Sequence, residues 1–335
     1  MKIGIVTQPI VNNYGGVLQT YALQSVLKKI GYKPILIDYI PKSQSIIRYI
    51  ASCAKTFFFF FSSKKRRPFS KRVVNKRFCK FEIFLDTYIE KTPVVWDYSS
   101  DLLKYSNYDA IIVGSDQVWR PKYNNQLANM YLDFTKDFHI KRISYAASFG
   151  VDKWEYTTYQ TRKCSCLAKR FNAVSVREES GVKLCKDYLD INATWVLDPT
   201  LLLKKEDYCG ICSKIPVSTE KFLIAYVLDV NVFIREYCEC IAKERHLTIK
   251  YFSAGANATI SIPEWLAMFR DTSYVVTDSF HGTVFSIIFR KEFKCIYNKD
   301  RGAARFESLL NLYNSGKIEK MRDFSISWLK NALED

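Results

Sequence analysis

A chain of 335 residues, 48% hydrophobic and 25% charged, has the composition of a folded globular protein and the length for two cores. Its net charge of +16 points toward an anionic partner. The N-terminus has no signal-peptide pattern, and no apolar run reaches the roughly eighteen residues that span a bilayer, so a cytoplasmic protein is expected.

The stretch Lys2-Ile3-Gly4-Ile5-Val6-Thr7 predicts a short strand, and polar Asn12-Asn13-Tyr14-Gly15-Gly16 follows it. From Val17 to Ile30, apolar residues recur close to a helical period, which predicts a helix closed by Gly31. Pro34 to Asp38 predicts a second strand.

The charge excess lies in what comes next. Between Pro41 and Phe81 there are twelve Lys or Arg and no Asp or Glu, which leaves 38 basic and 34 acidic residues elsewhere. The segment contains AKTFFFFFSSKKRRPFSKR, Ala54 to Arg72. It reads as a helical insertion packed on the body, as a nucleic-acid patch, or as a site that docks on an anionic membrane with Phe at the interface. Five contiguous phenylalanines suit a lipid interface better than base stacking, which needs aromatics interleaved with cations. The expectation is therefore no nucleic acid, with residues 46–81 either on the body or on the inner face of the cytoplasmic membrane.

Further strands are predicted at Tyr108–Asp116, Ile143–Phe149, Ala173–Arg177, Trp195–Thr200, Phe222–Leu228, Thr248–Phe252, Tyr274–Thr277 and Cys295–Tyr297, with a helix around Phe233–Arg245. Alternating strands and helices imply βαβ units and parallel sheets covered on both faces. The expectation is two Rossmann-like domains facing a cleft: residues 1–155 with the insertion 42–81, residues 156–310, and a helical tail 311–335.

In such sheets ligands bind beyond the carboxyl ends of the strands, and the polar clusters fall there. Asp278-Ser279-Phe280-His281-Gly282 joins a strand to a helix. Free N–H groups at that helix start, capped by Asp278 or Ser279, would attract an anion, and Gly282 would allow close approach. His281 adds a group able to bind phosphate or pass a proton. Arg177, at another strand end, has a planar fork suited to carboxylate or phosphate, unless Glu178 or Glu179 pairs with it. Other clusters hold Asn13, Tyr14 and Gly15, then Ser115, Asp116 and Gln117. Of the ten cysteines only Cys209-Gly-Ile-Cys212 has zinc-type spacing, with no second pair beside it, so free thiols are expected and no metal site. Gly-x-Gly-x-x-Gly, a P-loop, Asp-x-Asp and Gly-x-Ser-x-Gly are all missing from the sequence.

NYGGVLQTYALQ, DAIIVGSDQVW, SYAASFG, AVSVREESG, VLDPTLLL and TDSFHGTVFSIIF, in this order, resemble the polysaccharide pyruvyl transferase family over about residues 1–310. The basic insertion is outside that pattern. The resemblance implies a fold similar to B-type glycosyltransferases. It implies transfer of pyruvate from phosphoenolpyruvate to a sugar of a surface polysaccharide or its lipid-linked precursor, as a ketal bridging two hydroxyls. Arg177 and His281 are the positions it places at the phosphoenolpyruvate, with Ser279 and Gly282 beside them. Where some members carry Arg-Leu before the histidine, this chain has Ser279-Phe280, which removes one cationic contact.

That chemistry needs an acid and a base. His281 is the candidate acid, Asp116 and Asp278 are candidate bases, and Asn13, Tyr14, Gly15, Ser115 and Gln117 are candidates for the acceptor side. The route demands no metal or bound cofactor, with phosphoenolpyruvate as co-substrate. The alternatives are a nucleotide-sugar glycosyltransferase on the same fold and a non-catalytic protein binding lipid or nucleic acid through the basic segment.

Overall fold

Two parallel sheets form around central strands that are apolar and buried. The computed structural model describes residues 1–10, 13–39, 71–95, 107–124, 126–228, 230–252, 258–297 and 302–334. In the first unit β1 (Lys2–Val6) leads to α1 (Tyr14–Lys29), β2 (Lys33–Leu36) and α2 (Lys71–Tyr88). Then come β3 (Ala110–Val113), β4 (Lys141–Ala147), α3 (Thr158–Ala168), β5 (Ala173–Val176), α4 (Glu179–Leu184) and β6 (Thr194–Trp195). A 3-10 turn at Pro199–Leu202 and α5 (Lys205–Ile211) lead to β7 (Phe222–Tyr226), α6 (Val232–Arg245), β8 (Thr248–Phe252), α7 (Ile262–Asp271) and β9 (Tyr274–Thr277). The chain ends with α8 (Phe280–Ile288), β10 (Glu292–Cys295), α9 (Ala303–Asn314) and α10 (Ile318–Glu334).

The first sheet has the order β2-β1-β3-β4-β5-β6 and the second β10-β9-β7-β8, with every pairing parallel. All of β3 and all of β7 are buried, as expected of parallel strands covered by helices on both faces. These are the two Rossmann-like units expected from the sequence. The boundary near residue 155 is corrected, however. β5 pairs with β4, and β6 with β5, so the first unit extends through the Pro199–Leu202 turn. Without β5, the outer backbone groups of β4 would lie buried and unpaired. Arg177 therefore belongs to the first unit.

The expected tail is helical and returns to the first unit. Arg322 Nε donates to Leu201 O at 2.7 Å, Leu197 N to Ser325 Oγ at 3.0 Å, and Lys141 Nζ to Leu333 O at 2.8 Å. On its way back α9 also touches the first unit, where its Ser308 Oγ accepts from Glu179 N at 3.2 Å.

The basic segment lies mostly outside the described residues, the Phe57–Phe61 run included. Its last residue does not: Phe81 of α2 is buried in the core, as are Phe84 and Leu85 further along the same helix. There Phe81 meets Tyr14, whose ring also stacks on Trp265 of α7 with centroids 5.3 Å apart. Tyr14 Oη donates to Ile260 O at 2.8 Å. Tyr14 is thus fully buried at the joint between the units, and its proposed place on the acceptor side is corrected. Chemical denaturation should show Tyr14→Phe losing about 1 kcal/mol, the value of one hydrogen bond, and Tyr14→Ala about 3–5 kcal/mol for the lost ring.

Candidate active site

Strand ends from both sheets deliver charged side chains to one buried cluster. β3 hands on to Ser115 and Asp116, β5 to Arg177 and Glu178, and β6 to Asp198. The second unit brings Phe280 and His281 at the start of α8 and Arg305 in the first turn of α9. The joint before α8 forms because Ser279 leaves β9 in an extended conformation and its Oγ accepts from Gly282 N, capping the helix.

Arg177 and Asp198 are the centre. Arg177 Nη1 donates to Asp198 Oδ2 at 2.7 Å, and Ser115 Oγ donates to the same oxygen at 3.1 Å. Asp198 Oδ1 accepts from Thr200 N at 3.0 Å and from Thr200 Oγ1 at 2.6 Å. His281 Nε2 lies 3.8 Å from Asp198 Oδ2, an electrostatic contact longer than a hydrogen bond. Burial alone would raise the Asp198 carboxyl, but His281, Arg177 and Thr200 hold it well below the usual carboxylate range. Burial opposes the charge on Arg177, yet Asp198, Asp116 and Glu178 keep its proton more tightly bound than usual.

Arg177 retains unused capacity. Its Nη2 lies 3.6 Å from Asp116 Oδ1, and neither Nη2 nor Nε makes a hydrogen bond. His281 Nε2 makes none either. Arg177 and His281 are only 3% and 6% exposed, so these nitrogens are withheld from solvent. Buried nitrogens left without a hydrogen bond in this way call for a partner that the protein itself does not supply.

Asp116 is held with φ of 74°, in the left-handed region that a residue with a side chain enters at a cost. Its Oδ1 accepts from Gln117 N at 2.8 Å. β4 bulges between Ser144 and Ala147, with Ala146 also left-handed at φ 51°. The bulge precedes Ser148-Phe149-Gly150, which wraps Glu178: its Oε1 accepts from Phe149 N at 2.7 Å, Gly150 N at 3.0 Å and Ser148 Oγ at 3.1 Å. Burial raises the Glu178 carboxyl against the opposing pull of Arg177 and these donors.

Of the sites expected from sequence, Ser115, Asp116, Arg177 and His281 come together. Gly15 joins them, because a Cβ built on it would stand 1.9 Å from His281 Nδ1. The backbone of α1 in the first unit therefore lies directly against the imidazole of the second. Ser279 acts as the helix cap. Asp278 points toward β7, where its Oδ1 accepts from Leu228 N at 2.7 Å. Gly282 serves packing and not ligand approach: its Cβ would meet Thr277 Oγ1 at 2.2 Å and Tyr226 at 2.9 Å. Gln117 is buried, its Oε1 accepting from Arg120 Nη1 at 3.1 Å, while Asn13 is exposed.

The expected pairing of Arg177 with Glu178 or Glu179 gives way to Asp198 and Asp116. The sequence marks Asp198 only as part of a polar cluster, Asp198-Pro199-Thr200, at a strand end and gives it no role, and it does not mark Arg305 at all. That guanidinium sits over the Phe280 ring at 5.3 Å, with Arg177 over the same ring at 4.6 Å. Among the described residues no cluster could hold a metal ion, and no helix is long and apolar enough to cross a membrane. Cys209 and Cys212 are free thiols.

A two-unit parallel α/β architecture with a buried cationic cluster at facing strand ends defines the class. A family model described as polysaccharide pyruvyl transferase matches residues 13–300, and the chain belongs to that family of transferases. No curated protein matches it. Solved structures similar to it include the UDP-GlcNAc 2-epimerase of Neisseria meningitidis bound to UDP-GlcNAc, at 10% identity, with 100% of each chain covered and a TM-score of 0.49. The UDP-GlcNAc 2-epimerase of Methanocaldococcus jannaschii with UDP-GlcNAc and UDP is 11% identical, with 100% of this chain and 93% of that one covered and a TM-score of 0.47. An α-glucosyltransferase with UDP-glucose and abasic-site DNA is 9% identical, with 98% and 94% covered and a TM-score of 0.47.

Asp198→Asn leaves Arg177 buried without its counter-charge and should cost about 3–5 kcal/mol in urea unfolding. Because the folded Asp198 carboxyl lies below its unfolded value, its contribution is in place above about pH 4 and is lost on acidification. The variant should therefore show a shallower loss of stability with acid than the parent. Gly15→Ala should leave far-UV circular dichroism unchanged and reduce turnover, since the added methyl needs the space His281 occupies.

Proposed function

We propose that the protein transfers pyruvate from phosphoenolpyruvate to a sugar of a surface polysaccharide or its lipid-linked precursor, closing a ketal across two hydroxyls. The observation that carries this reading is the set of buried, unspent donors on Arg177 and His281, next to a second guanidinium, in a family of pyruvyl transferases. Phosphoenolpyruvate has a carboxylate and a phosphate and requires such cations.

His281 gives a proton to the methylene carbon, which becomes a methyl group and leaves its neighbour electron-poor. A sugar hydroxyl adds to that neighbouring carbon, and Asp116 takes the hydroxyl proton. The carbon–oxygen bond to phosphate breaks. A second hydroxyl then adds and its proton passes to the departing phosphate, so inorganic phosphate and the ketal result; the proton on Asp116 returns to His281 through solvent. Asp198, 3.8 Å from His281 Nε2, places a fixed negative charge beside the nitrogen that carries the proton. Asp116 suits the base because it stands next to Arg177 while remaining more accessible than Asp198. The burial of these side chains would keep water from the reacting carbon.

A phosphate-release assay with phosphoenolpyruvate and a panel of aryl or lipid-linked galactosides and mannosides tests this. Phosphate release that depends on both partners is expected. Release of UDP from UDP-sugars, with none of phosphate from phosphoenolpyruvate, would reassign the enzyme as a glycosyltransferase. His281→Ala should lower turnover about a hundredfold or more at saturating donor. Unchanged turnover would make His281 a packing residue.

The sequence of residues 46–81 supports attachment to an anionic membrane, where a lipid-linked acceptor would be met. Co-sedimentation with vesicles should rise with anionic lipid, fall with salt, and disappear when Phe57 to Phe61 are changed to Ser. Equal recovery in the supernatant with and without such vesicles at low salt would leave the segment a solvated insertion.

A further inference from the structure

Helix α9 begins with a cation that its own electrostatics disfavour. Arg305 stands in the first turn of the helix, where the unpaired N–H groups already make the end positive. Arg177 lies close by over the same Phe280 ring, and the two guanidiniums line one small cavity with Asp198 and Phe280. Burial and the repulsion of Arg177 lower the Arg305 guanidinium to about 10, against the opposing pull of Asp116 and Glu178. Its Nε is withdrawn from solvent, while the residue as a whole is half-buried.

A close contact between the units sets its position. Gly302 takes φ of 106°, and a Cβ there would meet Gly150 O at 2.4 Å and Arg305 Nε at 3.3 Å. Only a glycine lets α9 start this near the Ser148-Phe149-Gly150 turn.

The donors divide by shape. Arg177 has spent Nη1 on Asp198, and its Nε and Nη2, neither hydrogen-bonded although Nη2 lies 3.6 Å from Asp116 Oδ1, form the side-on edge that matches a carboxylate. A dianion beside it then needs another cation, and the start of α9 supplies both a guanidinium and the helix end. We propose that Arg305 binds the phosphate group of phosphoenolpyruvate, while the Nε–Nη2 edge of Arg177 takes its carboxylate. This rests on the reading of the site as one for phosphoenolpyruvate. By holding the phosphate, Arg305 also holds the group that must leave.

Calorimetric titration of phosphoenolpyruvate, pyruvate and inorganic phosphate into the parent, Arg305→Met and Arg305→Lys tests the assignment. Arg305→Met should weaken phosphoenolpyruvate and phosphate about tenfold or more, the scale of a charge-assisted hydrogen bond, and leave pyruvate unchanged. Arg305→Lys should fall between Met and the parent for phosphoenolpyruvate, and it decides the matter if the Met variant does not fold. Unchanged affinity for phosphoenolpyruvate in the variants, or equal weakening of pyruvate, would overturn the role of Arg305 while leaving the donor intact. A parent protein that binds neither phosphoenolpyruvate nor phosphate would overturn the donor reading itself, and this inference with it.

Discussion

Everything near the cluster depends on a buried arginine and a buried aspartate accepting each other. Removing two such charges from water costs several kcal/mol per ion before attraction repays it. Asp198 offsets this with four donors, from Arg177, Ser115 and the Thr200 amide and hydroxyl. Those donors come from three separate strand ends, so satisfying one carboxylate aligns β3, β5 and β6 at one point. An apolar pair of equal volume would often be as stable. What an apolar pair would lack is a fixed field at His281 and a guanidinium with an edge to spare.

The distortions around this pair share a direction. Asp116 and Ala146, both left-handed, and the bulge in β4 all lie at the carboxyl half of the first sheet. Together they turn the chain so that three donors close around Glu178. Glu178 then holds the turn that Gly302 touches. Strain in one unit thereby shapes the surface against which the other unit rests, and the cost is met by packing of fully buried strands elsewhere.

Much of this was legible in the sequence. Apolar runs marked the strands of both sheets, and polar residues after them marked the cluster, because a parallel sheet offers only its strand ends to a ligand. Arg177 and His281 could be singled out for that reason. The unit boundary could not, since alternation of strand and helix continues unchanged while β5 and β6 join the first sheet. Tyr14 read as polar and available because its neighbours are Asn and Gly, yet its ring fills the joint beside Trp265. Arg305 carried no signal: its helix follows the last strand and looks like surface. The Ser279-Phe280 departure implied a lost cation, and the structure sets Arg305 over that very phenylalanine. Distance in sequence hid proximity in space.

The return of α10 has a mechanical consequence. The chain passes from the first unit to the second after the Pro199–Leu202 turn and comes back through α9 to α10, which is tied to Leu197 and Leu201. A single tether would let the second unit swivel freely; two fix an axis, as a pair of hinges does for a door. His281 and Arg305 both belong to the second unit, so any rotation about that axis would shift the imidazole and the guanidinium together relative to Arg177. Cutting the C-terminal helix free would leave each unit's sheet whole and remove the second of the two ties.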